Sequence, residues 1–244
     1  MAHLTRKELK KDPFLSVYYD DFVEFAEKHY RELAAALIVV ALLVVGVMSW
    51  KRHTQAQEAN ANALLGSALA TFHAYVGSAS ADALGPGVQR FSTPDEKYEA
   101  SLKGFSAVAA KYPRQKAGEI ALYHAGICQA MLGQPTAAVE TLERAGKSSD
   151  QEIASLSRLA LGDELEQTGK TAQAEEIYKN LVQHPTRTVP AATAWLALAD
   201  AEASANPSGA RQIYERMSNQ MSSDAFLAET LKQKLADLTR QPGS

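Results

Sequence analysis

The feature that most restricts how this chain can fold is a period of 36 residues. Gly126, Gln129, Gly133, Ala138, Leu142 and Ala145 are followed, each 36 positions later, by Gly162, Leu165, Gly169, Ala174, Tyr178 and Leu181. A third copy runs on through Leu198, Ala210, Tyr214 and Met217. Gly133-Gln134-Pro135-Thr136, Gly169-Lys170-Thr171-Ala172 and Asn206-Pro207-Ser208-Gly209 each separate two stretches of helical hydrophobic spacing. Earlier in the chain, Ser101, Phe105, Val108 and Pro113 keep the spacing of the second stretch alone, as a truncated copy.

A repeated helical hairpin of this size cannot bury its apolar face by itself, so the copies must stack. Small residues at Gly126, Gly162, Ala138, Ala174 and Ala210 are expected to let paired helices approach closely. Leu142, Tyr178 and Tyr214 are expected to fill the gap between one hairpin and the next. The pattern predicts helices at 53–80, 95–112, 116–132, 135–146, 150–168, 171–184, 190–205, 207–220 and 223–240, with a loop from Gly85 through Pro94. The last, with Leu227, Leu231, Leu235 and Leu238 on one face, reads as a cap. The expected fold is all-α: an N-terminal transmembrane helix followed by an α-solenoid of helical hairpins.

The span is the second constraint. Leu33 to Trp50 is 18 residues without a charge. As a helix it covers about 27 Å, close to the hydrocarbon thickness of a bilayer. Tyr30 and Arg31 at one end and Trp50, Lys51 and Arg52 at the other suit the headgroup level. A cleaved signal peptide is the main rival, but the charged leader before the span is long for one and Lys51-Arg52 precede the small-residue triplets at Ala59–Ala63. No breaker stands between Trp50 and Gly66, so the next helix is expected to continue directly from the span. The expected division is a tail at 1–32, the span at 33–50, a connecting helix and loop at 51–94 and the repeats at 95–244. Arg6, Lys7, Lys10, Lys11, Lys28 and Arg31 make the tail the more basic flank, which favours a cytoplasmic N-terminus and a repeat region outside the cytoplasm. Phe14, Tyr18, Tyr19, Phe22 and Phe25 read either as an amphipathic helix at the interface or as a docking segment for a membrane partner.

Chemistry is sparse. The net charge of −3 gives no basic surface for a nucleic-acid partner. Gly169-Lys170-Thr171 lacks the glycine spacing and preceding strand of a phosphate loop, and the period accounts for it as a turn. His124 and Cys128, four apart, have no second ligand pair nearby in sequence. Glu175-Glu176 lies where a solvated helix face is expected, and Cys128 is the single cysteine. No catalytic residue, metal site, cofactor or small-molecule substrate is expected.

The repeats resemble the tetratricopeptide family, with Pro113 and Pro185 near its terminal proline and Trp195 near its starting tryptophan; the period is two residues longer than that family's 34. The resemblance implies a protein-binding groove lined by the first helix of each hairpin, at Tyr123, Ile127, Leu159, Asp163, Trp195 and Glu202. The apolar members of that set fit a core equally well. Tail, span and hairpins together, with Phe22-Val23-Glu24-Phe25 before the span and Trp50-Lys51-Arg52 after it, resemble the ancillary subunit of the bacterial Sec translocon (the YfgM-like family). That likeness implies a single-pass protein of the bacterial inner membrane. Its periplasmic, chaperone-like domain would contact the translocon, newly exported proteins or chaperones. A structural scaffold subunit of another envelope assembly (secretory or respiratory) is the alternative.

Overall fold

The computed structural model describes residues 27–77, 89–220 and 225–240. The aromatic and basic tail before residue 27 and residues 85–88 of the expected 85–94 loop lie outside them. The elements run α1 (Tyr30–Phe72), β1 (Tyr75–Val76), β2 (Arg90–Phe91), α2 (Pro94–Lys111), α3 (Lys116–Met131), α4 (Pro135–Ala145), α5 (Gln151–Gln167), α6 (Thr171–Gln183), α7 (Ala191–Glu202), α8 (Pro207–Gln220) and α9 (Ala225–Arg240). The chain divides into two compact units, Met1–Gln57 and Glu58–Ser244.

In the first unit, α1 contains a window long and apolar enough to cross a membrane, none of it buried. Leu37 is 70% and Leu42 66% exposed, so no described part of the protein covers this stripe as a core would. A signal sequence shares that length and apolarity. The helix does not stop after Trp50, and Thr54 Oγ1 donates back to Lys51 O at 2.9 Å within the unbroken turn.

In the second unit each helix from α2 to α9 packs on the next, and α3 on α5 and α5 on α7 also touch. This is a tetratricopeptide-like solenoid of hairpins α3–α4, α5–α6 and α7–α8, closed by α9. The first copy is not truncated. Ala61, Leu65 and Ala68 of α1 bury against Phe105 and Val108 of α2, and an added β-carbon on Gly104 would lie 3.2 Å from that of Ala68. The end of α1 therefore supplies the helix that the sequence comparison of copies left out. These residues fall in the stretch expected as a connecting helix, and they lie within the unit Glu58–Ser244.

The helix expected to run to residue 80 ends at Phe72. Its ring is held between Tyr98, Phe105 and His124 at centroid distances of 5.9, 6.0 and 5.4 Å, and the chain then leaves as a two-residue parallel pairing, Tyr75 with Arg90 and Val76 with Phe91. Nothing in the alanine-rich run marks that stop; a tertiary contact sets it. The other helices match expectation to within about three residues at each end.

The turns within hairpins explain the period. Gly133 (φ +65°) and Gly169 (φ +78°) both adopt the left-handed conformation that costs glycine least. Gln134 N donates to Gln129 O at 2.9 Å and Lys170 N to Leu165 O at 2.8 Å, the same helix-ending bond 36 residues apart. The third turn is built differently. Asn206 Oδ1 accepts from Gly209 N at 3.1 Å, capping α8 without a positive φ.

Large and small residues also pair differently from expectation. Leu142 and Tyr178 do not only bridge hairpins; each lies on the glycine of its own hairpin. A β-carbon on Gly126 would come within 2.7 Å of Leu142 Cγ, and one on Gly162 within 2.4 Å of Tyr178 Cε1. The glycines make room for the large side chain. Leu142 also belongs to the core shared with α5–α7, so one residue serves both contacts.

Candidate protein-binding face

The first helices of successive hairpins, α3, α5 and α7, bring most of the expected groove residues onto one cluster. Tyr123, Ile127, Leu159 and Trp195 are all half-buried and pack against the core formed by Leu161, Leu165, Tyr178, Leu181 and Leu198. They are neither enclosed nor free: one side of each supports the core and the other stays accessible. Trp195 additionally bridges to the α8–α9 core and carries the Arg216 guanidinium 5.5 Å from its ring centre.

Asp163 joins them. Its carboxylate accepts from Tyr178 Oη at 2.7 Å, and its negative charge helps burial to raise the Tyr123 phenol pKa. Asp163 as a residue keeps solvent access, yet its carboxylate is crowded, and that desolvation holds it above the usual carboxylate range against the opposing Tyr178 hydrogen bond. Glu166, one turn on, is raised for the same reason, reinforced by the charges of Asp163 and Asp200.

Glu202 is not brought to this cluster. It sits at the end of α7, where its Oε2 accepts from Asn206 Nδ2 at 3.4 Å in the third turn. The carboxylate in its place is Asp200, which accepts from Tyr214 Oη and from Lys234 Nζ of α9, the latter at 2.7 Å. Sequence reasoning missed Glu166, Asp200 and Lys234. A signal existed: acids inside helices whose corresponding positions in α3 are apolar. The period hid it, because Asp163 and Asp200 are 37 apart and so fall one position out of step.

Among the described residues no cluster of three or more His, Cys, Asp or Glu could hold a metal. Cys128 is fully buried, its thiol pushed up to about 12 by desolvation, which leaves it without thiolate chemistry at ordinary pH. His124 stacks on Phe105 at 4.9 Å and is edged by Phe72 and Tyr123, so it is a core ring and not half of a ligand pair. At the ends of the apolar window Tyr30 and Trp50 are 59% and 75% exposed, Lys51 and Arg52 are exposed, and Arg31 Nε donates to Tyr30 Oη at 3.0 Å.

The family model described as Tetratricopeptide repeat matches residues 120–149, which covers most of α3, the Gly133 turn and all of α4. No curated protein and no solved structure matches the chain. The tetratricopeptide repeat is a protein-interaction scaffold, generally non-enzymatic.

Proposed function

We propose that this protein is a membrane-anchored adaptor that holds a protein segment along the α3–α5–α7 face. The observation that carries the reading is the row Tyr123, Ile127, Leu159 and Trp195, half-buried on a shared core and edged by Asp163 and Glu166. Rigid amphipathic rings with one accessible side suit capture of an extended polypeptide at small entropic cost. Support for single-pass anchoring through α1, with the repeats outside the cytoplasm, comes from the exposed apolar window and the more basic tail. The resemblance to the ancillary translocon subunit supplies the finer part of the reading: an inner-membrane protein beside the Sec channel whose periplasmic repeats receive emerging chains or their chaperones.

The test is purification of the full chain from detergent-solubilised membranes, comparing wild type with Tyr123→Glu and Trp195→Glu. The reading expects translocon subunits with the wild type, and a severalfold loss of co-purifying protein in both variants at unchanged helical circular dichroism. A stoichiometric envelope assembly other than the translocon would replace the adaptor reading with that of a permanent scaffold. Loss of helicity in both variants would assign the two rings to the core.

A further inference from the structure

The 36-residue period also exposes one residue out of keeping with its slot. Leu122, Arg158 and Ala194 occupy equivalent positions of α3, α5 and α7, apolar in the first and third copies and cationic in the second. Arg158 is not absorbed by an ion pair: none of the described carboxylates lies within salt-bridge distance of it. Its Nε donates to Gly146 O at 3.1 Å, at the end of α4, and its stem lies over Gly146. That bond fixes the plane of the guanidinium and leaves the two terminal nitrogens unspent.

Arg158 lines a cavity of about 520 Å³ between the α4–α5 turn and the segment after α6, together with Ser148, Ser155, Asn180, His184 and Thr186. No carboxylate lines it, in a chain of net negative charge. Arg158 also borders the neighbouring cleft with Glu143 and Glu176, neither within salt-bridge distance of it, and three acids of the flanking turns and helices are engaged elsewhere. Asp150 takes Lys116 Nζ at 2.7 Å, Glu119 takes Ser148 Oγ at 2.7 Å, and Glu152 takes Thr188 N at 2.8 Å. Ser155 is 5% exposed, and its hydroxyl hydrogen-bonds to no other described residue.

We propose that this cavity is an oxyanion site in which the two terminal nitrogens of Arg158 bind a carboxylate or phosphate group side by side, with the Ser155 hydroxyl and Asn180 amide as further donors. With Nε committed to a carbonyl, the end-on edge is the face a guanidinium can still offer, and it matches the spacing of two oxygens on one carbon or phosphorus. Lysine could not hold that geometry. The site lies apart from Tyr123, Leu159 and Trp195, so its standing does not depend on the proposed partner-binding face.

The experiment uses the full chain in nonionic detergent at fixed ionic strength, titrated with inorganic phosphate and, separately, with acetate, sodium chloride serving as the matched control. Phosphorus NMR line width follows the phosphate arm, and calorimetry follows both. The expected result is saturable binding of at least one anion, weakened tenfold or more in Arg158→Gln and Arg158→Leu and two- to fivefold in Ser155→Ala. Which arm saturates assigns the ligand to the phosphate or carboxylate class. Arg158→Gln and Ser155→Ala carry the test if the leucine variant fails to fold. Non-saturable broadening in the wild type, or binding unchanged in Arg158→Gln, overturns the site.

Discussion

The first hairpin and the two that follow solve the same packing problem with different chemistry. At one slot of the period stand Leu142, Tyr178 and Tyr214, each almost wholly buried. Leucine asks nothing of its neighbours, and the α3 positions equivalent in the period to Asp163 and Asp200 are Ile127 and Cys128. A buried tyrosine needs an acceptor for its hydroxyl, and the second and third hairpins provide one from their own first helix: Asp163 for Tyr178 and Asp200 for Tyr214. The acidic character of the later hairpins is thus partly a consequence of choosing tyrosine. Glu166 is a secondary partner of Tyr178, and under the proposed function it is the acid available to a bound segment.

The comparison breaks most visibly at the large side chains themselves. Tyr178→Ala should cost about 3–5 kcal/mol and Leu142→Ala about 2–5 kcal/mol in denaturant unfolding. The tyrosine variant should also leave the crowded Asp163 carboxylate without its Tyr178 donor. Equal losses, with Asp163→Asn rescuing neither, would remove the distinction between the hairpins.

Next in size is overpacking. Gly162→Ala places a methyl where Tyr178 Cε1 lies 2.4 Å away, and Gly126→Ala one 2.7 Å from Leu142 Cγ. About 1–3 kcal/mol is expected for each. The stiff, hydrogen-bonded tyrosine should make the Gly162 change the worse of the two. Tyr178→Phe is milder, about 1–2 kcal/mol, because it deletes the donor and keeps the ring; a neutral outcome would mean that the Tyr178–Asp163 bond contributes nothing net.

Smallest, and opposite in sign between the regions, is the pH dependence. His124 is held below its ordinary pKa by burial and, secondarily, by His73, and its Nδ1 has no partner. Lys97, Tyr98, Tyr123 and Cys128 are the other ionisable groups around that box. As pH falls through about 6.5 the unfolded chain takes the proton first, so stability declines until folded His124 also protonates. Asp163, held above its ordinary value, behaves oppositely. The folded chain takes the proton first, so stability rises as pH falls through the raised value and levels near about 3.9. Urea midpoints followed between neutral pH and pH 4 should lose the first slope in His124→Phe and the second in Asp163→Asn. An unchanged slope in either variant contradicts its assignment.

Much of this was legible in the chain. The period predicted the hairpins because Gly133 and Gly169 form identical turns, and a turn that repeats in geometry repeats in sequence. Three features were hidden, each because it arises from contacts between distant residues. The helix stop at Phe72 depends on Tyr98, Phe105 and His124. The role of α1 as first helix of the first copy depends on Ala61, Leu65 and Ala68, which carry no repeat signature. The Tyr178–Asp163 and Tyr214–Asp200 pairs are staggered by one residue, so aligning the copies separates what the fold unites.

The central claim, that the α3–α5–α7 face holds a protein segment, is tested most directly by photocrosslinking in intact membranes. A photoreactive residue is placed at Tyr123, Leu159 or Trp195, with Arg211 on α8 as the control position. The account predicts adducts to a translocon subunit or an exported chain from all three face positions and little from Arg211. Adducts from Arg211 alone, or from none of the face positions, would contradict it.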